Sequence, residues 1–257
     1  MGSLSEPTAD LSILPKADGS ATYSYGGYTV TTAVNGPVEV QRRDENPFEA
    51  VVDVTVRPAA GIGATAERQL ESILQAAIRQ LIPVRDFPRT LIQVTLQVME
   101  TPADVYSNAK IVQAQLDLSI IPALLHAAVL GLLTGAVPLK GIATAVTLAM
   151  AEGEDGQRIV VSPTIKQAQD AKSVHTLGFT SRDELLLSES RGSFTLEEWQ
   201  EILDIGQRVC CQHQQAGLET DVDMGEAGAA ETAASVSIRD FIRSAMETKT
   251  AGDLHWK

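Results

Sequence analysis

Residues 118–150 read LSIIPALLHAAVLGLLTGAVPLKGIATAVTLAM, with no formally charged residue between Asp117 and Lys140. Ile120, Ile121, Leu124, Leu125, Ala128, Val129, Leu132 and Leu133 make a helix that is apolar nearly all round. Such a helix is buried on several sides or lies in lipid. Gly135 and Pro138 end it. Gly141–Met150 then reads as a strand, with Ile142, Ala143, Val146 and Leu148 among small residues. A membrane span needs roughly 20 continuous apolar residues. Pro122 and His126 interrupt this run, and no basic cluster flanks it. The stretch is therefore read as the buried centre of a globular fold.

Upstream, Met1–Ala17 is polar and reads as a mobile lead. Ala21–Tyr25 and Tyr28–Val34 alternate around Gly26-Gly27 and predict a β-hairpin. Asn35-Gly36-Pro37 is read as a strand break, and Val38–Phe48 as an irregular or edge segment. Ala50–Val56 alternates as a strand. Ala64–Leu81 places Leu70, Ile73, Leu74, Ala77, Ile78 and Leu81 at helical spacing. Leu91–Val98 is a strand with one polar face. Thr101–Gln115 is polar and is read as a long loop or short helix.

Downstream, Glu152–Gly156 is a charged turn, Ile159–Val161 a short strand and Pro163–Lys172 a turn of helix. Val174–Phe179 and Glu184–Leu187 form a second hairpin. Phe194–Gln215 is helical, opened by a Thr195/Glu198 capping box. Glu219–Ala234 is acidic, alanine-rich and linker-like. Ser237–Thr248 carries Ile238, Phe241, Ile242, Ala245 and Met246 on one side, which suits either a partner-docking helix or a frayed tail. The order of elements predicts an α/β or α+β domain with helices packed on a mixed sheet.

The 257 residues are 44% hydrophobic but only 4% aromatic, so aliphatic side chains and alanine fill the core. A net charge of −13 opposes non-specific binding to nucleic acid or anionic lipid while leaving room for a local basic groove. No signal peptide is evident. Cys210 and Cys211 are adjacent and the only cysteines, which favours idle thiols in a reducing compartment, cytosol or nucleus. There is no P-loop, G-x-G-x-x-G, G-x-S-x-G or H-E-x-x-H motif. His126 is read as a core histidine. His175 has no evident partner, and His213 follows the cysteines on the surface side of the last long helix. Asp170 and Asp183 are read as solvated carboxylates. Arg42, Arg43, Arg79, Arg85 and Arg89 suit phosphates or salt bridges equally well.

Asp18-Gly19-Ser20-Ala21, then Tyr25-Gly26, then Asn35-Gly36-Pro37-Val38-Glu39-Val40, resemble the opening of RNase PH-type domains. The helix Glu67–Leu81 falls where that family has a helix whose start binds phosphate. Gly135-Ala136-Val137-Pro138 looks like the exit of the family's long buried helix, and Val161-Ser162-Pro163-Thr164 resembles its Leu-Asp-Pro-Thr segment. The resemblance spans Leu11–Gly217 and is nearest to the eukaryotic RNA exosome ring subunits of this family. It implies a ribosomal S5 domain 2-like mixed sheet packed with helices, over residues 18–217. Residues 1–17 are then a lead, and 218–257 an acidic linker with a C-terminal helix.

The resemblance also implies where chemistry is lost. The family's acidic positions fall at Ser162 and near Ser173, with Asp170 as a possible stand-in for one of them. A phosphate-binding arginine position falls at Ser72. The Asp-Gly-Gly-Thr-Arg segment is replaced by Asp117-Leu118-Ser119-Ile120-Ile121. Phosphorolysis needs a bound phosphate and a carboxylate-held metal, which serine and isoleucine do not supply. The expectation is a non-catalytic ring subunit supporting 3′–5′ RNA processing, including that of rRNA, with no cofactor or metal of its own. Its partners would be other RNase PH-like ring subunits, S1/KH cap subunits, threaded RNA and an associated exoribonuclease, with no membrane. Arg42, Arg43, Arg85 and Arg89 would face RNA. The expected location is nucleus and nucleolus, with some cytoplasm. The alternative is a phosphorolytic 3′–5′ exoribonuclease active on its own.

Overall fold

The computed structural model describes residues 6–43, 45–102, 110–153, 156–211 and 237–255. At its centre is α2 (Lys110–Thr134). It packs on β2 (Gly19–Tyr25) and β3 (Tyr28–Glu39) on one side. On the other side it meets β6 (Ala143–Gly153) and β8 (Ser173–Thr180). Contact with two sheets explains why Ile121, Leu124, Leu125, Ala128, Val129 and Leu132 are all buried and why no polar face interrupts them. Among the described residues no helix is long and apolar enough to cross a membrane.

The first sheet has the order β1-β2-β3-β5-β4, with β1 at Thr8–Leu11, β4 at Val51–Arg57 and β5 at Thr90–Glu100. It is antiparallel except for the parallel pair β4 and β5. The crossover joining those two contains α1 (Thr65–Leu81), which lies on β4 and touches α2. One face is thus covered by helices, and from Val51 to Val56 β4 alternates between half-buried and buried residues.

The second sheet is wholly antiparallel, in the order β7-β6-β8-β9, with β7 at Gly156–Val161 and β9 at Leu185–Gly192. Its far face is covered by α4 (Leu196–Cys211), where Ile202 meets Val146, Leu148, Leu177 and Phe179. Covered on both faces, β8 is buried from Ser173 to Phe179 and shows no alternation. The Thr195/Glu198 capping box forms as the spacing predicts.

The glycine pattern follows from close approach. A Cβ on Gly131 would strike Thr32, and one on Gly19 would strike the backbone of Gly131 and Gly135. Asp18 then ties the first motif to the second, its carboxylate accepting the Gly36 N–H at 2.9 Å.

Four readings need correction. Asn35-Gly36-Pro37 does not end the strand, because β3 absorbs it as a register irregularity between Asn35 and Val38 and runs on to Glu39. Thr8–Leu11, inside the expected lead, pairs with β2 as β1. Residues 110–115 belong to α2, whereas 103–109 lie outside the described residues. The C-terminal helix α5 (Ile238–Leu254) does not present its apolar face to a partner. Ile242 is fully buried, and Ile238 and Phe241 pack on the chain's own core. His213 and the acidic stretch 219–234 also lie outside the described residues.

Candidate functional site

The turn after β7 carries Ser162-Pro163-Thr164. Ser162 adopts a left-handed conformation (φ 51°), and its N–H donates to Thr147 O at 2.9 Å. Thr164 then caps α3 (Ile165–Asp170) in a box with Gln167. This turn opens onto a cavity of about 140 Å³. Ser119, Pro122 and His126 of α2 line its floor, Tyr25 and Tyr28 come from the first hairpin, and Ile238 and Arg239 of α5 close a wall. The fold thus brings Ser119 and Ser162 to one cavity. Ser72, on the exposed face of α1, does not line it; neither do Ser173 and the exposed Asp170.

Among the described residues no carboxylate lines this cavity, and Arg239 is the one formally charged residue in its lining. That guanidinium is turned away into the protein. It donates to Thr180 O at 3.0 Å and to Cys211 O at 3.5 Å, and pairs with Asp183 at 3.4 Å. Among the described residues no group of three or more His, Cys, Asp or Glu side chains is arranged to hold a metal ion.

His126 is the core histidine that its position predicts. Its Nε2 accepts the Ala145 N–H at 2.9 Å, and burial lowers its pKa to about 3. The ring is therefore neutral with its proton on Nδ1. His175, by contrast, does have partners. Its ring nitrogens bond Ser173 Oγ and Ser190 Oγ, each at 2.9 Å, and Phe194 and Trp199 stand against the ring. Burial lowers its pKa to about 4, against an opposing pull from Glu198. Ser173 is thus engaged in a buried hydrogen-bond chain inside the second sheet. Cys210 and Cys211 are free thiols, and burial raises the pKa of both.

A second constellation lies at one end of the first sheet. Arg42 and Arg43 sit in the loop from β3 to β4, and Arg85 and Arg89 in the segment from α1 to β5. The two segments are sewn together. Arg89 N–H donates to Asn46 O at 3.1 Å, its Nε pairs with Glu45 at 3.2 Å, and Ala50 N–H donates to Val84 O at 2.8 Å. Arg79 pairs with Glu49. The four arginines expected to face RNA, Arg42, Arg43, Arg85 and Arg89, are exposed and lie on these two joined segments, with Asp86 next to Arg85 in the chain.

Sequence reasoning missed Arg239 and Phe48. Arg239 stands three residues before the buried Ile242, so an arginine in the apolar phase of a helix was the available signal. Phe48 is 82% exposed in the same loop as Arg42 and Arg43.

Comparison with known proteins agrees with the geometry. The model of the 3′ exoribonuclease family, domain 1 (RNase PH), matches residues 6–138. The exosome complex component RRP46 of Saccharomyces cerevisiae is 30% identical over 208 residues, covering 79% of this chain and 89% of the relative. The exosome complex exonuclease RRP46 homolog of Oryza sativa is 25% identical over 241 residues, covering 94% and 90%. The crystal structure of rice Rrp46 superimposes with a TM-score of 0.72 at 24% identity, covering 95% of each chain.

Proposed function

The chain belongs to the RNase PH family of 3′ exoribonucleases, and from that premise we propose that it is a non-catalytic subunit of the RNA exosome core ring. In this reading its neighbours are other RNase PH-like subunits, and S1/KH subunits cap the ring. RNA is threaded past it to an associated exoribonuclease for 3′–5′ processing and degradation, rRNA maturation included. The protein acts in nucleus and nucleolus and also in the cytoplasm. Arg42, Arg43, Arg85 and Arg89 contact the RNA backbone, without regard to sequence.

One observation carries the loss of catalysis: among the described residues, no carboxylate lines the cavity that Ser162 and Ser119 share. Phosphorolysis uses inorganic phosphate to break the 3′ phosphodiester. The site must hold that anion against the RNA's own phosphate and neutralise the charge that develops. Two serine hydroxyls supply hydrogen bonds but no charge. Ser72 and Ser173, at the other degenerate positions, bring none either.

The rival reading is a phosphorolytic 3′–5′ exoribonuclease active on its own, favoured by the word exonuclease in the rice relative's name. The test is incubation of the purified chain with single-stranded RNA, with and without phosphate, beside a pull-down from the native source. Expected are no nucleoside diphosphate from the chain alone and a stoichiometric set of RNase PH-like and cap subunits in the eluate. Phosphate-dependent shortening of RNA by the chain itself overturns the proposal.

A further inference from the structure

Phe48 is an exposed aromatic side chain held out on a pinned loop. Its N–H donates to Asn46 Oδ1 at 3.1 Å, and Asn46 Nδ2 donates to Glu49 Oε1 at 3.1 Å. Asn46 O in turn receives the Arg89 N–H. Ala50, two residues on, is bonded to Val84 beside Arg85. The loop therefore has little freedom to fold the ring inward, and the ring stays 82% exposed.

The charges around it are sorted. Glu45 and Glu49 are occupied by Arg89 and Arg79. Among the described residues, no acidic side chain lies within ion-pair distance of Arg42, Arg43 or Arg85. An exposed aromatic face on a loop that also carries exposed guanidinium groups is an arrangement that binds single-stranded nucleic acid. The cations track the phosphates, and the ring stacks on a base regardless of its identity. The core of a protein–protein patch is depleted of acidic residues and lysine. Here the chain neighbours of Phe48 are charged and polar, Arg42 to Asn46 before it and Glu49 after it, with only Pro47 and Ala50 apolar.

We infer that Phe48 is a base-stacking residue for single-stranded RNA, working with Arg42, Arg43 and Arg85. The inference rests on the reading that the arginine cluster faces RNA, and adds to it a contact with bases. The stack is sequence-blind and favours unpaired bases, because a paired base has both faces covered.

The test uses the full chain and a fluorescent single-stranded RNA, beside the same oligonucleotide with abasic sites. Affinity is read by anisotropy for wild type, Phe48→Ala, Phe48→Trp and the pair Arg42→Glu/Arg43→Glu. Phe48→Ala should weaken binding about tenfold, in line with the loss of one stacked base. Phe48→Trp should bind as well as wild type or better. Abasic RNA should reduce wild-type binding by a similar factor and leave Phe48→Ala unaffected. If wild type binds, the arginine pair weakens binding and Phe48→Ala binds like wild type, stacking is overturned while the RNA-facing reading stands. If wild type binds no RNA, both fall. If Phe48→Ala keeps RNA affinity but loses ring partners in a pull-down, the ring is a protein contact and the inference is overturned.

Discussion

At the scale of single residues, burial rather than charge sets the behaviour of this protein. Pro122 has no N–H, so within α2 it leaves the carbonyl of Leu118, four residues earlier, without its helical donor. Thr176 on β8 fills that gap, its hydroxyl donating to Leu118 O at 3.0 Å. Thr176→Val should therefore strand a buried carbonyl and cost about 1–3 kcal/mol in denaturant unfolding. Adding Pro122→Ala should recover most of the loss by restoring the helical N–H. Equal losses in the single and double variants would refute the account. The two buried histidines make a second prediction. Both are held below the ordinary 6.5, His126 at about 3 and His175 at about 4. Above pH 6.5 they are neutral in folded and unfolded chains alike and impose no penalty. Below it the unfolded chain takes up protons that the folded chain refuses. Stability should fall as pH drops, by about 1.4 kcal/mol per pH unit for each histidine. The share from His175 should level off near pH 4 and that from His126 near pH 3. Unfolding curves from pH 7.5 to 4 measure the slope, and His175→Gln should make it shallower; an unchanged slope would contradict the assignment. Pro122 and His126 were legible in the sequence as interruptions of an apolar run. The donor that satisfies the proline's orphaned carbonyl was not, because it arrives from 58 residues away. For His175 half the answer was available, since Ser173 lies two residues away on the same strand face. Ser190 depends on the pairing of β8 with β9.

At the scale of elements, α2 and its attachments carry the fold. Gly131 lets the helix sit directly on β3, where an added Cβ would strike Thr32. Gly131→Ala should push helix and sheet apart and cost about 1–3 kcal/mol, read as a lower midpoint of thermal unfolding. A midpoint equal to wild type would mean that the contact yields freely. The attachment of α5 depends on Arg239, which is 7% exposed and donates to Thr180 O and Cys211 O. Arg239→Ala leaves those acceptors and Asp183 with a void. It should lower global stability by about 1–3 kcal/mol, the cost of leaving the Thr180 and Cys211 carbonyls without their donor, since Asp183 is 55% exposed and keeps its solvation. It should also raise hydrogen exchange over Ile238–Leu254 first. Exchange unchanged in α5 would show that Ile242 and Phe241 suffice to hold it. The elements themselves were legible where one face meets solvent, as in α1, β4 and α4, because amphipathic periodicity records which side is covered. They were less legible where the chain departs from periodicity. The bulge at Asn35-Gly36-Pro37 reads as a break when only local turn chemistry is weighed, yet β5 continues to pair on both sides of it. The fate of α5 was open because an amphipathic face does not specify whether its own domain or another protein covers it.

At the scale of the whole molecule, the layering of sheet, helices, sheet and helix explains a composition poor in aromatics. With α2 in contact with two sheets, and with β8 and β6 buried on both faces, small and aliphatic residues are what the spacing admits. That an all-round apolar helix lies at the centre was legible; that it separates two sheets was not, since strand order depends on long-range pairing. The same holds for the meeting of Ser119 with Ser162, and of Arg42 and Arg43 with Arg85 and Arg89. Each pair comes from segments far apart in the chain. Charge is also organised at this scale, and it yields a last prediction. The molecule carries −13 overall, while its proposed RNA-facing end gathers exposed arginines. Acidic groups elsewhere repel RNA over distances set by salt, about 30 Å at 0.01 M and about 10 Å at 0.1 M. Contacts between arginine and phosphate act at direct range and weaken as counterion release loses its advantage, with a slope of about −0.7 in log K per log salt for each phosphate on a single strand. Raising salt from very low values should therefore first strengthen RNA binding by the isolated chain, as the distant repulsion is screened. Beyond about 0.1 M, where screening has confined the field to the cluster, it should weaken binding. Anisotropy titrations across that range test it. Affinity that only rises with salt would mean that the global charge governs and the arginine cluster makes no phosphate contact. Affinity that only falls would mean that the acids lie too far from the bound strand to be felt.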